Sequence, residues 1–269
     1  MKKLVFPTLL LLCTTGLFAQ TRVTQDVSTF SRISFAVSGK ALVKQGSTQK
    51  VELEGDKEAL EKIEVEVEGN RLVIRSKEKW YNWNWGNDDK ITAYITVKEI
   101  EGLSVSGSGD MVVQGKIKTG NLDLNVSGSG SLNLEADAGD TDANVSGSGD
   151  MELKGSFASF SSDISGSGEI EINGAIAGEA EFDISGSGKA EASGTSQSVD
   201  VDVTGSGRVL AANLETGKCR VRISGSGNVE VNVKNELDAK ISGSGDVRYK
   251  GSPAHVNADS SGSGSVKKM

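Results

Sequence analysis

The sequence predicts an all-β protein built as a parallel β-solenoid with coils of about 19 residues, and three observations carry that expectation. The tetrapeptide Ser-Gly-Ser-Gly recurs nine times, once as Thr-Gly-Ser-Gly, starting at Ser106, Ser127, Ser146, Ser165, Ser185, Thr204, Ser224, Ser242 and Ser261, in steps of 18 to 21 residues. A fixed period of this size marks stacked units. Aliphatic residues alternate on both sides of each copy, as in Leu124, Val126, Leu132 and Leu134, whereas the flanks of a Gly/Ser linker carry no pattern. Finally, 34 glycines, 2 prolines and 5% aromatic residues suit a thin core and not one filled by large side chains.

The elements follow in chain order. Residues 1–19 read as a secretory signal peptide: Lys2 and Lys3 precede the apolar run Leu4–Leu12, and Leu17, Phe18 and Ala19 form an exit that leaves Gln20 as the first mature residue. The run is too short to span a bilayer, so no membrane span is expected. A lipoprotein signal at Cys13 is disfavoured because Leu12 precedes it, where such signals carry Gly, Ala or Ser.

Residues 20–102 repeat the same grammar loosely, as a first coil and a cap. Phe35, Val37, Gly39, Ala41 and Val43 alternate around a single SGK and mark the first coil. DKEALEKI (56–63) is a short helix with Asp56 as N-cap. Ile63, Val65 and Val67 alternate with glutamates in a half-buried strand, followed by strands at 71–75 and 91–97. This thicker part is expected to cover the open end of the solenoid. Between its last two strands lies KWYNWNWGNDDK (79–90), which holds every tryptophan of the chain. Its candidate ligand-binding residues are Trp80, Tyr81, Trp83 and Trp85 with Asn82 and Asn84, because rings beside amides suit a sugar or protein contact. The alternative is a loop whose rings pack over the cap.

Residues 103–269 form the repeat region, continuous with the N-terminal part. In each Φ-x-Φ-S-G-S-G-x-Φ-x-Φ unit the aliphatics and both glycines share one parity, which places the glycines inward and the serines outward. A bend, or a close opposite wall, explains two inward positions without a Cβ. The serines are then expected to form hydroxyl ladders about 4.8 Å apart. A coil of this length has a perimeter near 60 Å, enough for two or three short strands, with a second corner around Gly115–Ile117, Gly155–Phe157 and Gly174–Ile176. Chain chirality favours a right-handed coil. An antiparallel array of hairpins is the alternative, but Asn-Gly or Asp-Gly turns at a fixed place are missing.

Charge and composition narrow the function. Without Lys2 and Lys3 the chain has 27 basic against 37 acidic groups, a balance that phosphate backbones repel, so no nucleic-acid partner is expected. Only Cys219 remains after cleavage, which rules out an intrachain disulfide and suggests a shielded thiol in a strand. His255 is the single histidine, too little for a His-rich metal site, and is expected on the surface of the last coil. The carboxylates recur with the repeat and form no distinctive constellation, as in a scaffold. Asp163, Asp183 and Asp202 should nonetheless stack, and Ca²⁺ is one way to relieve their repulsion, although the calcium-binding GGxGxD pattern is absent. The other is a solvated acidic stripe partly neutralised by Arg220, Arg222 and Lys240, and no firm metal or catalytic residue is assigned.

The signal peptide, the opening alternating segment, the strand entering LSVSGSG (103–109) and the repeated V/I-S-G-S-G units resemble the head GIN-domain family, described as putative auto-transporter adhesin heads of Gram-negative bacteria. The resemblance covers nearly the whole mature chain and implies an exported β-solenoid in the periplasm or at the cell surface. It brings no catalytic residues. The last repeat is followed only by VKKM, so a translocator barrel is not expected. The expected function is that of a non-catalytic exported structural or binding protein contacting a glycan, a surface polymer or a protein. The alternative is an envelope-associated glycan-active enzyme using solenoid carboxylates. A second copy of the chain is a further candidate partner through the open C-terminal coil, although Lys267 and Lys268 sit there.

Overall fold

The computed structural model of the chain describes residues 21–77 and 91–269. The signal-peptide reading of residues 1–19 and the aromatic candidates at 80–85 lie outside the described residues. The N-terminal part comprises β1 (Thr21–Gln25), β2 (Arg32–Ala36), β3 (Gly39–Gln45), β4 (Lys50–Gly55), α1 (Lys57–Glu61), β5 (Ile63–Glu68), β6 (Arg71–Ser76) and β7 (Ile91–Val97). The repeats supply β8 (Gly102–Gly107), β9 (Asp110–Thr119), β10 (Leu122–Gly128), β11 (Ser131–Gly147), β12 (Asp150–Gly166), β13 (Glu169–Ile176), β14 (Glu179–Gly186), β15 (Lys189–Gly205), β16 (Arg208–Gly225), β17 (Asn228–Gly243), β18 (Asp246–Gly251), β19 (His255–Gly262) and β20 (Ser265–Lys268).

Every pairing from β8 to β20 is parallel, and the register matches one repeat to the next: Val126 lies beside Val145, Val145 beside Ile164, Ile164 beside Ile184. The fold is the expected parallel β-solenoid, with about 9 turns. Hairpin arrays are excluded, because they would pair antiparallel. Along a coil, inward burial runs Met151, Leu153, Phe157, Phe160, Ser162, Ile164, then Gly168. Strict alternation breaks after Leu153, after Phe157 and at the SGSG unit, so each coil consists of straight runs joined by bends. The two long faces are the strands entering SGSG and the strands leaving it.

The core is thin and made of columns. Val126, Val145, Ile164, Ile184, Val203, Ile223 and Ile241 stack one per coil, each at most 3% exposed. β-Branched side chains suit this pleated, closely spaced column. The next inward columns alternate large and small: Phe160 stands between Thr141 and Ala180, and Phe182 between Ser162 and Val201. Their rings meet at 5.9 Å, and Phe157 joins Phe160 at 6.2 Å. Cys219 occupies such an inner position between Val199 and Leu237. Burial pushes its thiol up to about 12, with Asp200 adding to the shift, so the thiolate needed for reactivity does not form near neutral pH.

The SGSG unit corrects one expectation. Only its second glycine points inward. The first has a positive φ and sits at the corner: Gly166, at φ +124, is half-exposed, while Gly168 is buried. The left-handed turn lets the coil-to-coil ladder continue through the bend, with Ser167 N–H donating to Gly147 O at 2.8 Å and Glu169 N–H to Gly149 O at 3.1 Å. A Cβ on Gly166 would lie 2.5 Å from Gly147 O, and one on Gly168 would lie 2.4 Å from Val145 Cγ1. Corner geometry therefore demands the first glycine, and the β-branched column demands the second. The serines do stack in register, but the hydroxyl bond between neighbouring corners is the long one from Ser127 Oγ to Ser106 Oγ, 3.4 Å. Backbone bonds hold the corners together.

The N-terminal strands extend the stack and then end it. β2 and β3 form the first coil, pairing parallel with β8 and β9 on one side and with β6 and β7 on the other. Beyond these, β5 pairs antiparallel with β6, β4 with β7, and β1 with β4, which ends the parallel stack. The end strand β5 carries Glu64, Glu66 and Glu68, all joined to Arg75 at 2.7 to 3.3 Å, and a charged edge resists further strand addition. Helix α1 starts after Asp56, but the Asp56 side chain makes no capping bond; Ala59, buried, anchors the helix instead. Ser31, Asn70 and Glu101 form a hydrogen-bonded knot where the first coil meets the repeats, with Ser31 Oγ donating to Glu101 at 2.6 Å and Asn70 Nδ2 to Ser31 at 2.7 Å.

Candidate binding surface

The aromatic segment has described residues at both ends. Arg75 lies beside Ala36, and Ile91 beside Gly39. In the neighbouring coil Val37 and Ser38 join the two corresponding strands, β2 and β3. Trp80, Tyr81, Asn82, Trp83, Asn84 and Trp85 fall in the chain between these two strands, outside the described residues. The pattern of a strand on each side was legible in the sequence. The register of those two strands with the first coil was not.

On the long face entering SGSG, Asp163, Asp183 and Asp202 stand in direct register, with Glu181 beside Asp200. Half-buried Asp183 has its carboxyl held above the usual range, first by desolvation and then by Glu181, Asp202, Asp163 and Asp200. The next coil reverses the charge. Arg220 binds Asp200 at 2.9 Å, and Arg222 binds Asp202 at 2.7 Å and Asp200 at 3.5 Å. The basic residues thus neutralise the C-terminal end of the stripe, and among the described residues Asp163, Glu181 and Asp183 form no ion pair. Among the described residues, no group of three or more His, Cys, Asp or Glu side chains is disposed to hold a metal ion.

The stripe has a pH consequence. A carboxyl held above its ordinary value of 3.8 stabilises the fold at low pH and loses that contribution as the pH rises through its folded value. Asp183→Asn is therefore expected to raise the melting temperature at pH 7 and to change it little near pH 4, so the gap between variant and parent closes on acidification. Thermal melts of both proteins at the two pH values check this, and a gap that stays constant would contradict the repulsion argument.

Other surface features are open furrows between side-chain rows. One, of about 390 Å³, runs past Asp202, Arg222, Lys240 and Asp259 beside the hydroxyls of Thr204, Ser224, Ser242 and Ser261. Another, of about 330 Å³, lies among Asp200, Lys218, Arg220, Glu236 and Asp238. Both mix acid and base on a repeating face. His255 is exposed on β19 beside Glu236, and Lys189 bonds Glu169 and Glu191 on the opposite face.

The family model described as "Putative auto-transporter adhesin, head GIN domain" matches residues 29–193 and 179–253. The chain belongs to the head GIN-domain family. Solved structures share the fold of this head GIN-domain chain. A putative adhesin from Parabacteroides distasonis ATCC 8503 is 22% identical, with a TM-score of 0.72 over 93% of this chain and 97% of that one. A putative adhesin from Parabacteroides merdae ATCC 43184 is 22% identical, with a TM-score of 0.67 over 95% and 97%. A structure named putative lipid binding protein, also from Parabacteroides distasonis ATCC 8503, is 25% identical, with a TM-score of 0.67 over 93% and 96%. No curated protein matches the head GIN-domain chain. Among the described residues, no helix is long and apolar enough to cross a membrane.

Proposed function

We propose that this protein is a non-catalytic, exported binding protein of the adhesin type, in which the solenoid is a rigid mount and the aromatic insertion makes the contact. Family membership supports the adhesin-like class. The observation that supports the finer reading is the length and content of the chain between β6 and β7: residues 77–90 hold all three tryptophans, where the neighbouring coil joins β2 and β3 through two residues. The strands before and after the segment keep their ladders with the first coil, so a contact made between them has a fixed base. Tyr81, Trp83 and Trp85, with Trp80 at the entry and Asn82 and Asn84 between the rings, have the chemistry for stacking on a sugar ring and bonding its hydroxyls. A glycan or surface polymer is the partner class favoured, and the periplasm or cell surface is the compartment that suits it. The carboxylates, spread along a repeating face, do not favour glycan cleavage, which needs an acid and a base converging on one bond.

A glycan array tests this, using the protein from Gln20 onward beside a Tyr81→Ala, Trp83→Ala, Trp85→Ala variant, each with and without Ca²⁺, after circular dichroism shows both folded. Binding by the parent is expected to fall by about a hundredfold in the variant, in line with the loss of two or more stacked rings. Binding that survives the triple substitution would move the site onto the solenoid faces. Binding that appears only with Ca²⁺ would implicate the aspartate stripe.

A further inference from the structure

We propose that the C-terminal coil is a pairing surface for a second copy of this chain, joined through a two-fold axis so that both long faces continue from one molecule into the other. This goes beyond the binding role above and does not depend on it. In the coil beneath, the inward residues Leu237, Ala239 and Ile241 are 0%, 0% and 3% exposed. Their neighbours on β19 are Val256, Ala258 and Ser260, and every residue of β19 is exposed, Val256 at 44%. Among the described residues β19 pairs only with β17, and β20 only with β18, so each presents a row of backbone donors and acceptors. Such an edge is a template for another strand.

The side chains say which strand fits. A two-fold axis perpendicular to the faces continues both of them and pairs β19 with β19 and β20 with β20, antiparallel. Residues directly opposite must point to the same side of the sheet, so an axis through Ala258 pairs Asn257 of one copy with Asp259 of the other, and Val256 with Ser260. Ala258 lies four residues before the corner Gly262, and Val266 four after it, so the same axis passes near Val266 and sets Ser265 opposite Lys267. No like charges face each other directly in this register, and two polar pairs are complementary. Lys268 does not obstruct it, because its Nζ is bonded to Ser252 Oγ of its own chain at 3.2 Å. Head-to-tail stacking is less suitable: the end strand on this face at the other pole is β5, whose glutamates would meet Asp259, and the contact would not close.

Light scattering of the protein from Gln20 onward across a wide concentration range is expected to show a monomer–dimer equilibrium. Ala258→Lys, at an exposed position on the axis, sets two cations opposite each other and should raise the dimer dissociation constant by about tenfold or more, with an unchanged melting curve at dilutions where the parent is monomeric. Ala258→Cys should form a disulfide-linked dimer on mild oxidation, since residues opposite across an antiparallel pair bring their Cβ atoms to about 4.5–5.5 Å; buried Cys219 does not compete. Val23→Cys, exposed at the far end, should not. A monomer at all concentrations, a dimer indifferent to Ala258→Lys, or cross-linking through residue 23 in preference to 258 would each overturn the proposal.

Discussion

Gly166→Ala is expected to destabilise the protein by about 3 kcal/mol or more, while Gly107→Ala, at the equivalent corner one end of the stack away, is expected to cost only about 1–2 kcal/mol. Both glycines have a positive φ, +124 and +85, so both substitutions force an L-residue into a disfavoured backbone region. Their surroundings differ. The new Cβ at 166 meets Gly147 O at 2.5 Å and Gly147 N at 3.2 Å, backbone atoms that cannot move without breaking the corner ladder, whereas at 107 nothing lies within 4 Å. Urea denaturation of the two variants, with equal m-values required for the comparison, separates backbone strain from steric overlap. Equal losses at both positions would mean that φ alone sets the requirement for glycine and that the coil spacing does not.

The same corner shows what was legible in the sequence. Period and parity give the coil length, the parallel stack and the inward columns, because aliphatics such as Val126 and Ile164 can be buried only on one side of a strand. Parity does not show that Gly166 has left the face of Gly168. A bend that takes an even number of residues preserves the count while turning the chain, and glycine has no side chain whose polarity would reveal the change. The cap strands were readable for the same reason as the columns: Ile91, Ala93, Ile95 and Val97 alternate without a break. Asp56 was readable as a helix boundary, but not that its carboxylate would go unused. On the surface, alternation put Asp163, Asp183 and Asp202 on one face, and register turned that into a stack. Which of them meets a cation depends on the coil next door, where Arg220 and Arg222 reach back to Asp200 and Asp202. The aromatic segment was conspicuous by composition, yet the register of the strands on either side of it is a long-range fact carried by residues 36 and 39.

Phe160→Ala is expected to cost about 3–5 kcal/mol, as much as a large aromatic truncation in an ordinary globular core, despite the thinness of this one. Phe160 is 1% exposed and touches Phe157 in its own coil and Phe182 in the next, with small neighbours Thr141 and Ala180 above and below in its column. Those small residues leave no side chain long enough to fill the space, and the backbones on either side are fixed at the strand spacing by continuous ladders, so the cavity cannot collapse. The effect should also be local. Each coil contacts only its neighbours, so stability is a sum of coil and interface contributions, and the loss falls on the interfaces that β12 makes with β11 and β14. Hydrogen exchange followed by mass spectrometry is expected to show faster exchange in residues 141–186, with β2, β3 and β17 nearly unchanged. Uniform acceleration along the rod would mean that the solenoid opens as a single cooperative unit, and would make the cap and the C-terminal pairing surface far more important to its stability than a nearest-neighbour stack allows.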